Sequence, residues 1–179
     1  MSLSQAQLDA ASEFGTTAMQ TFDRGGTFPA GTVIGSVARM AGSFLLRSFG
    51  LALSGIQPGS VVLSEQANQQ GPRLIQVLSA VLQGIGVKLD KSKLAGNPAA
   101  AGHLQEPFLE TQKALEMQFT GIRNKYGLSD AEAADSVVVA TAVLIKNCAS
   151  SLDPHVGFGL AVYGFIEGSK TAPAATGSP

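Results

Sequence analysis

Apolar residues recur along this chain at helical spacing. Over residues 4–24, Leu8, Ala11, Phe14, Ala18 and Phe22 fall every three or four positions, while Gln5, Asp9, Glu13 and Gln20 take the other side. This predicts a half-buried helix, ended by Gly25 and Gly26. A second helix is predicted over 27–49, with Thr27 as cap, Pro29 in the first turn and Gly50 as the stop. It is apolar or small nearly all the way round, which places it in the middle of a domain or at a subunit interface.

Residues 51–58 read as a linker or as a frayed continuation of the second helix. A third helix starting at Ser60 should be broken or kinked at Gly71 and Pro72, because proline lacks an N–H and its ring collides with the preceding turn. Pro72 then opens a fourth helix to about Val87, with Leu74, Val77, Leu78, Val81, Leu82 and Ile85 as its apolar stripe. Residues 88–102 are loop-like, with Gly96, Asn97 and Pro98 followed by alanines long enough for one helical turn. Phe108, Leu115, Phe119, Ile122 and Tyr126 mark a helix over 106–126 that Gly127 stops. Ser129 and Glu132 stand at capping-box spacing, with Leu128 as staple, so a further helix runs from there to about Ser150. Asp153 and Pro154, a cap followed by a first-turn proline, start the last helix, which runs to about Lys170.

Val61, Val62 and the run 137–139 are β-branched, but their flanks are strong helix formers with no turn between. The expected fold is all-α, a compact bundle of five to seven helices forming one domain over 1–170. The second and last helices are expected to be central because they lack a polar face. Residues 171–179, small residues and proline, read as a disordered tail. No repeat of 20–50 residues is present, which argues against a solenoid.

Composition adds one unusual feature. Hydrophobic residues make up 45% of the chain and charged residues 14%, against about 25% charged in an ordinary globular protein. The apolar stretches still do not read as membrane spans. Residues 28–56 carry Arg39 and Arg47, residues 135–150 carry Lys146, and the uncharged run 74–87 is too short. The first 23 residues lack the basic start and apolar core of a signal peptide, so a cytoplasmic protein is expected. A net charge of −1 provides no electrostatic basis for nucleic acid; Lys88, Lys91 and Lys93 are interrupted by Asp90 and read as a solvated loop. The single cysteine, Cys148, can form neither an intramolecular disulfide nor, alone, a zinc site, and it suits a reducing compartment.

No catalytic constellation emerges. Cys148 and His155 are separated by the helix start at Asp153 and Pro154, and Cys148 sits in an apolar run that favours a buried, inert thiol. His103 and His155 lie in separate loops or caps without carboxylates at metal-ligand spacing, so neither metal nor cofactor is expected. Gly31 with Gly35, Gly84 with Gly86 and Gly157 with Gly159 match neither a phosphate loop nor the dinucleotide fingerprint. Pairs of small residues four apart let helices approach closely, either inside the domain or across an interface, and Gly157, Ala161, Gly164 and Gly168 form the first candidate interface.

The charges within apolar stretches are more informative. Arg39, Arg47, Glu65 and Arg73 are the only charged side chains between Gly25 and Val87. Arg39 and Arg47 lie eight residues apart, about 80° around a helix, and so point roughly the same way. Two readings follow: internal ion pairs whose arginine stems cover apolar surface, or a pocket in which guanidinium groups bind a small anion. The leading functional expectation is a non-enzymatic helical binding or interaction module that forms a homodimer. The alternatives are a membrane-interacting helical protein with a soluble form, and a sensor or enzyme for a small anionic ligand held by Arg39 and Arg47.

Overall fold

The computed structural model describes residues 3–27, 29–90 and 107–174. Six helices stand among them: α1 (Gln5–Phe22), α2 (Ala30–Ser48), α3 (Glu65–Gly84), α4 (Phe108–Lys125), α5 (Asp130–Asn147) and α6 (Pro154–Ser169). The expected all-α bundle is what the chain forms, and most helix ends follow from local chemistry. Ser4 and Gln7 cap α1 reciprocally, Ser129 and Glu132 do the same for α5, and the Asp153 side chain accepts the His155 N–H at the start of α6.

Three local expectations are corrected. Pro29, not Thr27, occupies the N-cap of α2, and no side chain caps that end. Pro72 lies inside α3 instead of dividing it. Both Pro72 and Asn68, whose carbonyl loses its helical donor, are on the exposed side, where water can satisfy the orphaned oxygen. The third helix begins after Ser64 and not at Ser60, because residues 59–62 pair with the chain beyond α6. Val62 N–H donates to the Lys170 carbonyl (2.7 Å), Ala172 N–H to Ser60 (2.8 Å) and Gly59 N–H to Ala172 (2.9 Å), around an antiparallel bridge between Val61 and Thr171. Thr171 and Ala172, expected in the tail, are therefore held against the body of the domain. Ala172 is buried with Leu46 and Val62, and residues 175–179 lie outside the described residues, as does 91–106, most of the loop expected over 88–102.

α2 is the central element, as its pattern implies, with every residue from 33 to 46 buried. Its principal partners are α6 and α5. The second near-fully buried helix is α5, not α6: residues 133–142 are all buried, and the polar groups among them find partners inside the chain. Thr141 Oγ1 donates to the Val137 carbonyl (2.8 Å), Ser136 Oγ to that of Glu132 (2.9 Å), and Asp135 meets Arg73. α6 packs on α2 by one side only and leaves Tyr163 and Ile166 exposed. Phe14, Phe44 and Phe119 join α1, α2 and α4, with ring centroids 4.7 Å apart for Phe14 and Phe119 and 6.2 Å for Phe14 and Phe44.

The capping box of α5 carries a pH signature. The Glu132 carboxylate accepts from both the backbone N–H (2.9 Å) and the hydroxyl (2.7 Å) of Ser129, and these bonds hold its carboxyl below the usual 4.5. A depressed folded-state value contributes stability that is fully present above the unfolded value and is lost as pH falls through the folded one. Glu132→Gln is therefore expected to be less stable than the parent at neutral pH, with the difference closing as the pH drops below 4.5. Urea denaturation of both proteins along that pH series checks this.

Candidate functional site

The four charged residues singled out from sequence do not form one site. Arg39, at mid-α2, is buried. Its Nε donates to Glu167 on α6 (2.6 Å) and its Nη1 to the Thr111 hydroxyl on α4 (2.9 Å), with Ser36 Oγ 3.4 Å from the same hydroxyl. Arg39 thus ties α2, α6 and α4 together. Arg73 on α3 places Nη1 2.6 and 2.7 Å from the two carboxylate oxygens of Asp135, which is buried on α5. Glu65, the acidic residue among the four, is exposed in the first turn of α3 and accepts a local bond from Gln69 (3.2 Å).

Arg47 comes closest to a ligand site. It stands in the last turn of α2, its guanidinium 5.4 Å from the centre of the Phe44 ring, and it borders a cleft of about 420 Å³ walled by Leu53, Ile56, Pro58, Pro173 and Ala174. Its charge is already matched: Nη2 donates to Glu116 Oε2 (2.6 Å) on α4. Glu116 also accepts from Thr120 Oγ1 (2.9 Å) and Gln112 Nε2 (3.3 Å), and Gln112 Oε1 receives the Ala174 N–H (2.7 Å). An anion entering this cleft meets an ion pair instead of a free cation and must displace a carboxylate that is held in place by two further donors. Because those donors remain, Arg47→Met should cost only about 2 kcal/mol, the scale of a hydrogen bond to a charged group, with the native fold retained. Urea unfolding followed by circular dichroism measures this loss.

The carboxylates that pair with the arginines were not identified from sequence. Arg39 and Glu167 are 128 residues apart, Arg47 and Glu116 69, and Arg73 and Asp135 62. One signal was present. Glu167 is the only acidic residue of the last helix, and Asp135 opens the apolar run of α5; a lone acid in such a setting needs a cationic partner.

Gly157, Ala161, Gly164 and Gly168, the candidate interface, are buried within the chain and seat α6 on α2 and α5. A Cβ on Gly164 would fall 2.7 Å from that of Ala38, and one on Gly157 3.2 Å from Ile145 Cγ1. These residues therefore serve the internal contact, the other role that their spacing allows.

Cys148 is buried, and burial pushes its thiol above the usual value, so it is a poor nucleophile. The ring nitrogens of His155 are engaged elsewhere. Its Nε2 accepts the Asp90 N–H (2.9 Å) and its Nδ1 lies 2.8 Å from Asp153 Oδ1, which puts the imidazole proton on Nδ1. The imidazole thus fastens the chain after α3 to the start of α6. Lys91, Lys93 and His103 lie outside the described residues. Among the described residues no group of three His, Cys, Asp or Glu side chains could hold a metal ion, and no helix is long and apolar enough to cross a membrane. Compared with known proteins, the chain has no match: no family model fits it, and no curated protein or solved structure is similar to it.

Proposed function

We propose that the protein is a non-enzymatic helical module that acts by association, in the first place with itself. The observation that carries this reading is the amount of large apolar side chain left uncovered in a chain so poor in charge. Leu8, Ile56, Val61, Leu63, Met117, Val143, Tyr163 and Ile166 are each at least 40% exposed. Scattered single apolar residues are normal on any surface, but a sizeable uncovered group on a weakly charged molecule favours burial against a partner. Arg39, Arg47 and Arg73 support it as well, since each meets an internal carboxylate that an anion would have to displace. Light scattering across the micromolar range is expected to give the mass of a dimer, dissociating on dilution. A monomer mass at every concentration would remove the basis of this reading.

A further inference from the structure

The exposed apolar side chains fall in different places, and those places are not equally suited to a partner. Leu8 and Val143 rim a cleft of about 290 Å³ between α1 and α5, but share that rim with Ser12, Thr16 and Asn147. Met117 stands on α4 one turn from Lys113, and Ile56 belongs to the cleft beside Arg47. The remaining four belong to α6 and to the segment that is bonded to the chain just beyond its end. Tyr163 and Ile166 are three residues apart and so share a helix face. Residues 61–63 run beside the end of that helix, where Val62 N–H bonds the Lys170 carbonyl. Val62 turns inward onto Leu46 and Ala172, so alternation along the extended segment turns Val61 and Leu63 outward.

This face differs from the others in charge as well as extent. Residues 154–166 contain no Asp, Glu, Lys or Arg, and the first acid after them, Glu167, is drawn inward by Arg39. Tyr163 is 51% exposed, Ile166 49%, Val61 72% and Leu63 82%. Together they leave on the order of 500 Å² of mostly apolar side chain open to water, near the upper limit for a free monomer. That is more than half of the roughly 800 Å² each partner contributes to a standard interface. The centre of the face, on α6, carries no charge and so meets a copy of itself without like-charge repulsion, and a two-fold axis supplies the match by identity.

Building on the self-association proposed above, we infer that a second copy of this chain covers this face, in a two-fold dimer centred on Tyr163 and Ile166 with Val61 and Leu63 at its edge. Both central side chains point outward, so charged replacements there leave the core of the bundle untouched. The double variant Tyr163→Glu with Ile166→Glu is expected to raise the dimer dissociation constant at least roughly 100-fold in sedimentation equilibrium, as loss of two central anchors does, with an unchanged helical circular dichroism spectrum. Leu63→Glu, which lies outside any helix, should weaken the dimer in the same direction and keeps the test open if the double variant fails to fold. Met117→Glu, an equally open position on another face, should leave the constant within about twofold. A parent dimer that persists in the α6 variant and in Leu63→Glu overturns the placement but not self-association; a monomeric parent overturns both. A monomeric parent that floats with phosphatidylcholine vesicles, and loses that property in the double variant, would assign the face to a lipid surface instead.

Discussion

With alanine in place of Gly168, the melting temperature is expected to fall by roughly 6–12 °C, at about 2–4 °C per kcal/mol for a chain of this size. A Cβ on Gly168 would lie 2.1 Å from the Arg39 carbonyl oxygen, 3.0 Å from its carbonyl carbon and 3.0 Å from the Gly42 Cα. All three are main-chain atoms of a buried helix, and none can turn aside as a side chain tip would. α2 and α6 must part, and overpacking of this kind costs about 3 kcal/mol. The companion position reports the same contact from the other side, since a Cβ on Gly42 would fall 2.5 Å from the Phe165 carbonyl oxygen. Gly121, with nothing within 4 Å of its Cβ position, is the control: alanine there should be neutral or stabilise by up to about 1 kcal/mol through helix propensity. Differential scanning calorimetry of the three proteins separates a steric cause from a general intolerance of alanine for glycine.

Arg39→Met should lower stability by about 3 kcal/mol, toward the lower end of what removing half of a buried ion pair costs. Methionine retains the bulk of the apolar stem, so most of this loss comes from what is left behind. Glu167 loses the guanidinium that neutralises it and Thr111 loses its charged donor, inside a site where the Arg39 side chain is 5% exposed. Glu167 is itself 24% exposed, so water reaches part of its carboxylate and limits the cost. Adding Glu167→Gln to Arg39→Met should therefore recover part of the loss, because a neutral amide at that position is easier to bury. Chemical denaturation of the two single variants and the double variant gives the coupling energy. Additive losses would show that the two side chains do not act on each other.

Helix existence and type were legible wherever apolar spacing coincided with a cap. Ser129 with Glu132, and Asp153 with Pro154, announced α5 and α6 because the donors and acceptors involved are only two or three residues apart. The errors have a common origin in distance along the chain. Residues 60–63 read locally as helix because the segment that holds them extended, 170–172, lies more than a hundred positions away. Pro72 reads as a break because its position on the exposed side of α3 depends on what the opposite side packs against. The candidate site shows the same limit. Arg39, Arg47 and Arg73 stand out in the sequence as charges in need of partners, which they are, yet the only acid in the same stretch, between Gly25 and Val87, is Glu65. Their actual partners, Glu167, Glu116 and Asp135, each lie on another helix. The lack of a polar face on α6 suggests a central place, but absence of polarity does not distinguish a helix buried on all sides from one with an uncovered side.

The close seam between α2 and α6 also bears on how the chain is made. Arg39 and Glu167 are separated by 128 residues, and at ribosomal rates the second follows the first by on the order of 10 s. Throughout that interval α2, whose residues 33–46 are all buried in the finished fold, lacks the helix it packs against most. Contacts of such long range also slow folding relative to bundles whose neighbouring helices pair in order. During synthesis, then, the most deeply buried helix of the domain is made well before the helix that covers most of it.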